Sequence, residues 1–207
     1  IYNIEAITFK NHGCCGHTFA AIDGLLFIMQ DAQITANDIA NIAIATYGPA
    51  VSITDRVDPK TPQECKFSMQ YVLAHAAHYG SVRIEAFEAE RISDPAIQAM
   101  LGQIDLSIDP AVDAEFPARR AAHVSVTTKD GRQLTHYQPT RKGDPDLPLT
   151  DDELDAKFVE LANPVLGNKL TNSLLQKLWQ LDEISLATAL NFAVLKGDHT
   201  AGKNLPN

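Results

Sequence analysis

The chain has 207 residues, 45% of them hydrophobic and 21% charged, and a formal net charge of −9 at pH 7. That length makes one large domain or two small ones, and that composition supports a real core. The acidic balance and the lack of a Lys/Arg run argue against a nucleic-acid surface, although a few local cations can still dominate one cleft and hold a small anion there.

The chain opens on Ile-Tyr-Asn-Ile-Glu with no initiator Met and no basic-then-apolar leader, so it is expected to be the interior of a longer chain. Ile4, Ala6 and Thr8 share one face of a strand predicted over residues 2–10. A Gly-punctuated loop, 11–17, ends it. Thr18 is placed as the N-cap of a helix running to about Gln30. The apolar run around Phe19 to Met29 is interrupted by Asp23 and is too short to span a bilayer, so no membrane partner is expected. Thr35-Ala-Asn-Asp38 has capping character, but Ile39, Ile42 and Ile44 predict a strand to Tyr47. Gly48-Pro49 breaks that strand. Residues 50–65 hold two prolines and no period, and read as a long loop.

Phe67, Tyr71, Ala74 and His78 have helical spacing over Lys66 to Tyr79, and Gly80 is a stop signal. Ser93-Asp94-Pro95 opens another helix, with Pro near its first position. Ile104 to Ile108 is a short strand. His123–Thr128, the turn Lys129-Asp130-Gly131 and Arg132–Gln138 make a hairpin. Pro139 to Leu149 reads as a linker. Thr150-Asp-Asp-Glu153 is a capping box opening a helix to about Leu161. Two more helices are placed near 168–180 and 183–196. The fold class is therefore α+β over residues 1–145, with an antiparallel hairpin, followed by helices over 146–207. Those last helices carry apolar stripes such as Leu170, Leu174 and Leu178, which need a partner surface.

Chemistry concentrates in Lys10-Asn-His-Gly-Cys-Cys-Gly-His-Thr18. A helix N-terminus presents unpaired N–H groups and the positive end of the dipole, so a neighbouring cation makes a pocket for a carboxylate. Lys10 has two open roles, as a point charge on a substrate carboxylate or as an acid or base. The spacing of His12, Cys14, Cys15 and His17 is wrong for common zinc patterns, and no metal is expected. A Cys at a helix N-terminus can be a nucleophile, but packing is the preferred reading for both cysteines; a thiol-redox role is a further option. Three cysteines, two of them adjacent, are no disulfide framework and fit a reducing, cytoplasmic setting. Ser68 and Tyr71 share a helical face, where Ser68 either caps or binds a carboxylate. His75 and His78, three apart, read as helix-surface histidines. Arg56 lies in the long loop as a secondary carboxylate clamp. Arg119-Arg120 and Arg141-Lys142 read as surface charge, and Asp151-Asp152-Glu153 as helix-dipole complement.

Lys10 through Asp23 resembles the lysine–Cys-Cys-Gly-His-Thr–Ile-Asp segment of the MmgE/PrpD family. The resemblance continues at Lys66-Phe-Ser-Met-Gln-Tyr71, at Lys129-Asp-Gly131 and at Gly143-Asp-Pro-Asp-Leu-Pro148 running into Glu153-Leu-Asp-Ala-Lys157-Phe158. That family includes 2-methylcitrate dehydratase, cis-aconitate decarboxylase and iminodisuccinate epimerase. The resemblance implies a cofactor-independent enzyme that moves a proton α to a carboxylate of a small polycarboxylic acid. Dehydration stands first, with epimerisation and decarboxylation as alternatives. It implies Lys10 and His17 as catalytic residues, and Gly16, Ser68, Tyr71 and Arg56 as substrate contacts. It also implies a homodimer, and an N-terminal helical domain of the same protein that receives the C-terminal helices and supplies further acid/base residues. The competing reading is a non-catalytic α+β interaction domain. Lys10 and Ser68 facing one cleft would favour the enzyme; Lys10 in open solvent would count against it.

Overall fold

Ile42, Ile44 and Thr46 alternate with Ala43 and Ala45, which makes Ile39–Thr46 a strand, β1, buried on one face. A register irregularity between Ile39 and Asn41 turns Ile39 into the same core. The computed structural model describes residues 3–181. The chain divides into two compact units, residues 1–148 and 149–207.

In the first unit, β1 sits inside a four-stranded mixed sheet of order β2-β1-β3-β4, so the fold is α+β. β2 (Ile104–Ile108) runs parallel to β1, with Ile42 opposite Ile104. β3 (Ala122–Thr128) runs antiparallel on the other side, and β4 (Gln133–Gln138) closes the hairpin across Gly131, whose φ of +89° suits glycine. A parallel neighbour needs a crossover, and residues 48–100 supply it as short helices. These are α2 (Gly48–Thr54), α3 (Pro62–Lys66), α4 (Met69–Tyr79), α5 (Ala89–Ile92) and α6 (Pro95–Met100), the helix α1 (Phe19–Asp31) having come before β1. α7 (Pro110–Ala114) follows β2.

α1 and α4 pack together, and α1 also covers β3 and β4. A Cβ at Gly24 would come within 2.8 Å of Val124 Cγ2, so glycine there sets how closely α1 approaches the sheet. α4 is buried from Met69 to Ala77; Ser68 caps its start and Gly80, at φ +71°, its end. The other sheet face is polar, with Asn41 donating to Asp105 and the His123 ring 4.5 Å from Tyr137. A second, small core lies at the carboxyl ends of β1 and β2. It holds Tyr47, Ala50, Val112 and Ala121, with Phe116 against them.

The structure corrects four expectations in this unit. The strand predicted over 2–10 is a 3-10 turn, Asn3–Ala6, and then irregular chain. Its backbone pairs with a loop instead of a strand, Phe9 N–H donating to Gly143 C=O at 2.9 Å. The loop predicted over 50–65 contains α2 and α3. Pro49 and Pro62 read as breakers, but each occupies the first turn of its helix, where a missing N–H costs nothing. The helix predicted from Lys66 begins at Met69, because Pro62–Lys66 is a separate helix, opened by its own capping box of Thr61 with Glu64, and Ser68 caps a new start. The predicted linker is structured up to residue 148. Gly143 N–H bonds Leu147 C=O at 2.8 Å, and a Cβ on Gly143 would run into the Phe9 carbonyl.

In the second unit, the Thr150–Glu153 capping box opens α8 (Asp151–Trp179). The predicted break after Leu161 is instead a single interruption at Gly167, at φ +72°. Asp155 and Trp179 would be about 36 Å apart on a straight helix. Trp179 Nε1 nevertheless donates to Asp155 Oδ1 at 2.6 Å, so the element doubles back at Gly167 into a helical hairpin. The helix expected near 183–196 lies outside the described residues. Among the described residues no helix is long and apolar enough to cross a membrane.

Candidate functional site

The loop before α1 is held by its own backbone. Gly13 N–H donates to Val82 C=O at 2.8 Å, and Cys15 N–H to Lys66 C=O at 2.9 Å. Thr18 holds the N-cap position of α1 as expected, but its side chain makes no cap hydrogen bond. Its hydroxyl turns back to the Cys15 carbonyl at 2.8 Å and lies 3.2 Å from Cys14 Sγ. His12 is buried, with Nε2 3.0 Å from Asp23 Oδ1 and its ring edge-on to Phe19. Asp23 also accepts from Lys142 N–H at 2.8 Å, tying the loop to residues 139–146. Burial pushes the Cys14 thiol up to about 12, against the pull of its Thr18 hydrogen bond. A thiol with that value is not a thiolate nucleophile at neutral pH. Cys14, Cys15 and Cys65 are all free.

His17 is the half-buried group of this loop. Its Nδ1 lies 2.8 Å from the hydroxyl of Tyr47, the residue directly after β1. Tyr47 stacks on Phe116 with ring centroids 4.7 Å apart, and the Arg120 guanidinium lies 5.9 Å over Phe116. Burial, and then Arg120 and Arg141, hold His17 below the ordinary histidine range, so the ring is neutral at pH 7. Burial pushes Tyr47 up to about 12 against the same two arginines, so it is a neutral phenol. The bond to Tyr47 engages Nδ1 and leaves Nε2 as the ring nitrogen available to a substrate.

An open cleft of about 580 Å³ adjoins this wall, lined by residues 117–120 and 139–146 except Lys142 and Gly143. It holds three arginines, Arg119, Arg120 and Arg141. Its size suits a small ligand. Arg141 is only 11% exposed and grips Asp144 with two hydrogen bonds, Nη2 to Oδ1 at 2.6 Å and Nε to Oδ2 at 2.8 Å. Its Nη1 reaches toward the Gly16 carbonyl at 3.5 Å. Thr8 accepts from Arg141 and donates to Asp144. Burial raises the Asp144 carboxyl, but the bonds from Arg141 and Thr8 outweigh it and hold it below the usual range. Reading Arg141 and Arg120 as mere surface charge was therefore wrong. Arg120 lies over Phe116, four residues before it, whereas the contacts of Arg141 run to residues 8 and 16, which no local pattern reveals.

The profile of the MmgE/PrpD C-terminal domain matches residues 12–181 of this chain. The chain belongs to the MmgE/PrpD family. It is 27% identical over 174 residues to cis-aconitate decarboxylase of Mus musculus, covering 83% of this chain and 35% of that protein. Against cis-aconitate decarboxylase of Homo sapiens the identity is 27% over 149 residues, 72% of this chain and 31% of that protein. It is 32% identical over 105 residues to 2-methylcitrate dehydratase of Cupriavidus necator, 48% of this chain and 22% of that protein. The chain thus spans about a third of the length of the cis-aconitate decarboxylases it matches.

Within this MmgE/PrpD domain the sequence candidates separate into two places. Gly16 and His17 lie beside the arginine cleft. Lys10 follows directly on the Thr8–Phe9 strap that binds residues 143–144, and its ammonium lies 5.9 Å over the Phe19 ring. Ser68 and Tyr71 are elsewhere, fully buried. Ser68 Oγ donates to the Arg56 carbonyl at 2.6 Å and accepts from Tyr71 N–H, and the Tyr71 hydroxyl donates to the Ala86 carbonyl. Arg56 pairs with Glu64 at the surface, 3.2 Å away. Lys10 and Ser68 therefore do not share the cleft: Ser68 is buried, whereas Lys10 is exposed, with the Phe19 ring beneath its ammonium. His75 is not a surface histidine either. It is fully buried in α4, with Nδ1 2.8 Å from the Ser81 carbonyl oxygen.

Proposed function

We propose that this domain contributes part of the active site of an MmgE/PrpD-type enzyme that moves a proton at a carbon α to a carboxylate of a small polycarboxylic acid, without metal or organic cofactor. The observation that carries this reading is the His17–Tyr47 hydrogen bond, with Arg120 and Arg141 of the neighbouring cleft acting on the His17 ring. A neutral imidazole that donates its Nδ1 proton to the Tyr47 hydroxyl is a competent base at Nε2, and nearby cations stabilise the charge that the substrate carboxylate gathers when the α-proton leaves. In the dehydration we favour, the base takes the α-proton and the C–H electron pair forms the double bond. The β-hydroxyl leaves as water after an acid protonates it. Lys10 supplies a cation for a carboxylate, or the acid. The remaining acid/base residues would come from an N-terminal helical domain, and a homodimer would complete the protein.

Decarboxylation is the second reading, favoured by the longest alignment described above, 174 residues, being to a cis-aconitate decarboxylase. Both reactions share the test. The complete natural protein is incubated in D₂O with citrate, 2-methylcitrate, cis-aconitate and iminodisuccinate and followed by proton NMR. Loss of an α C–H signal or, for decarboxylation, loss of CO₂ with deuterium entering the product, slowed at least about tenfold in Lys10→Ala and in His17→Gln, is the expected result. Product signals then identify the reaction. Neither exchange nor product with any of the four overturns the reading and favours an interaction domain.

A further inference from the structure

Three arginines line the cleft, and they are not equivalent. Arg141 is neutralised by its two-bond grip on Asp144, both side chains nearly buried. That pair shapes the floor and offers a ligand little charge. Arg119 is 61% exposed, with Nε 3.7 Å from Glu115. Arg120 is different. It is half-buried, its guanidinium lies over the Phe116 ring, and among the described residues no carboxylate pairs with it. Stacking on an aromatic face orients a guanidinium and leaves its N–H edge open for a carboxylate. The chain as a whole carries −9, so a cation of this kind facing a cleft runs against the general field. The opposing acids of the lining are Asp144, held by Arg141, and Asp146 at the exposed rim.

Arg120 also stands at one end of a continuous stack. Phe116 lies beneath it, Tyr47 against Phe116, and the Tyr47 hydroxyl on His17. The His17 ring also lies 6.2 Å from Phe116, so Arg120 and the imidazole flank one aromatic ring, which suits two ends of one small molecule.

We propose that Arg120 holds a carboxylate of the substrate remote from the reacting carbon, which makes it the residue that selects polycarboxylates over monocarboxylates. The inference rests on the proton-transfer reading above and deepens it. It also has a consequence for the base. Arg120 and Arg141 are the charged groups acting on His17, with Tyr47 as its neutral hydrogen-bond partner. Arg141 is already paired. A carboxylate arriving on Arg120 offsets the larger of the two positive influences, and His17 becomes a better base once the correct substrate is seated.

The test is binding to the complete natural protein, read from the His17 imidazole signals in proton–nitrogen NMR. The probe is tricarballylate, a tricarboxylate with no hydroxyl to lose. Butyrate serves as the monocarboxylate and inorganic sulfate as the simple anion. Tricarballylate is expected to saturate and to move the His17 titration midpoint upward. Arg120→Gln is expected to weaken it at least about tenfold, and Arg119→Gln clearly less. Arg120→Lys, which keeps the charge but loses the fork, is expected to fall between wild type and Arg120→Gln. Circular dichroism confirms that each variant is folded. Three results would overturn the proposal: Arg120→Gln binding like wild type, Arg119→Gln losing as much, or sulfate or butyrate matching tricarballylate. The D₂O assay separates this from the reaction itself. Exchange that persists in Arg120→Gln with unchanged KM sinks the role of Arg120 and leaves the reaction standing. Arg120-dependent binding without exchange on any substrate sinks the reaction and supports the carboxylate site.

Discussion

Two tyrosines, Tyr47 and Tyr71, are buried to the same degree, and burial pushes both phenols above their ordinary range. They sit in different kinds of place. Tyr71, inside α4, gives its hydroxyl to the Ala86 backbone carbonyl, in a core that continues unbroken from Met69 to Ala77. Tyr47 follows β1 in a small separate core, and its hydroxyl lies 2.8 Å from Nδ1 of a half-buried histidine beside an open cleft. Burial of a polar group does not mark a site; the partner of its hydrogen bond does. A backbone carbonyl fixes packing, whereas a titratable partner next to a cleft fixes the orientation of a reactive group.

The contrast can be broken at several points. The largest effect is expected at the floor of the cleft. Arg141→Ala leaves Asp144 nearly buried with only the Thr8 and Thr140 hydroxyls as side-chain donors, and should lower stability by about 3 kcal/mol in urea unfolding. It should also raise the His17 titration midpoint, since one of its two arginines is gone. A stability loss with no change at His17 would place the pair in the framework alone. Ser68→Ala removes the α4 cap and should cost about 1 kcal/mol. Its loss should leave the His17 signals where they are, because Ser68 touches Arg56 and Tyr71 backbone only. Movement of those signals would tie the two regions together.

The smallest effect is one of pH. Burial lowers both His17 and His75 in the folded state, with the Arg120 and Arg141 charges adding at His17 and the Ser81 carbonyl opposing at His75. The unfolded chain, with histidines near 6.5, then binds more protons than the folded one between that value and the lowered native ones. Stability therefore rises with pH through this window, and is lost as pH falls below about 6.5. Denaturant midpoints measured across pH 5–7.5 should show that slope, with part of it removed in His75→Gln. A flat profile would mean that neither ring is protected in the way its surroundings suggest.

Much of this fold was legible in the chain. The β-branched run of β1, the Asp-Gly hairpin, the Gly80 stop and the Thr150–Glu153 box all act through neighbours a few residues away. What was not legible depends on contacts between distant segments. Pro49 and Pro62 signalled breaks because sequence alone does not say which side of a proline the helix takes. Residues 2–10 had a strand's pattern but no edge to join, since Gly143 takes the Phe9 amide. At the site, the loop carrying His17 was legible from its Gly, His and Cys spacing. Tyr47, Phe116, Arg120 and Arg141 were not, because their roles arise where residues 16–17, 47, 116–120 and 141–144 meet at the carboxyl ends of two strands. Ser68 and Tyr71 show the converse: a recognisable motif whose hydroxyls the structure gives to backbone partners.

The direct test of the account is α-proton exchange in D₂O measured side by side for Tyr47→Phe and Tyr71→Phe in the complete natural protein, per folded molecule. The account predicts that Tyr47→Phe loses at least about tenfold, because His17 loses the hydrogen bond that orients it, while Tyr71→Phe is less stable but exchanges at the wild-type rate. Equal rates in the two variants, or a larger loss in Tyr71→Phe, would contradict the placement of the site at His17 and Tyr47.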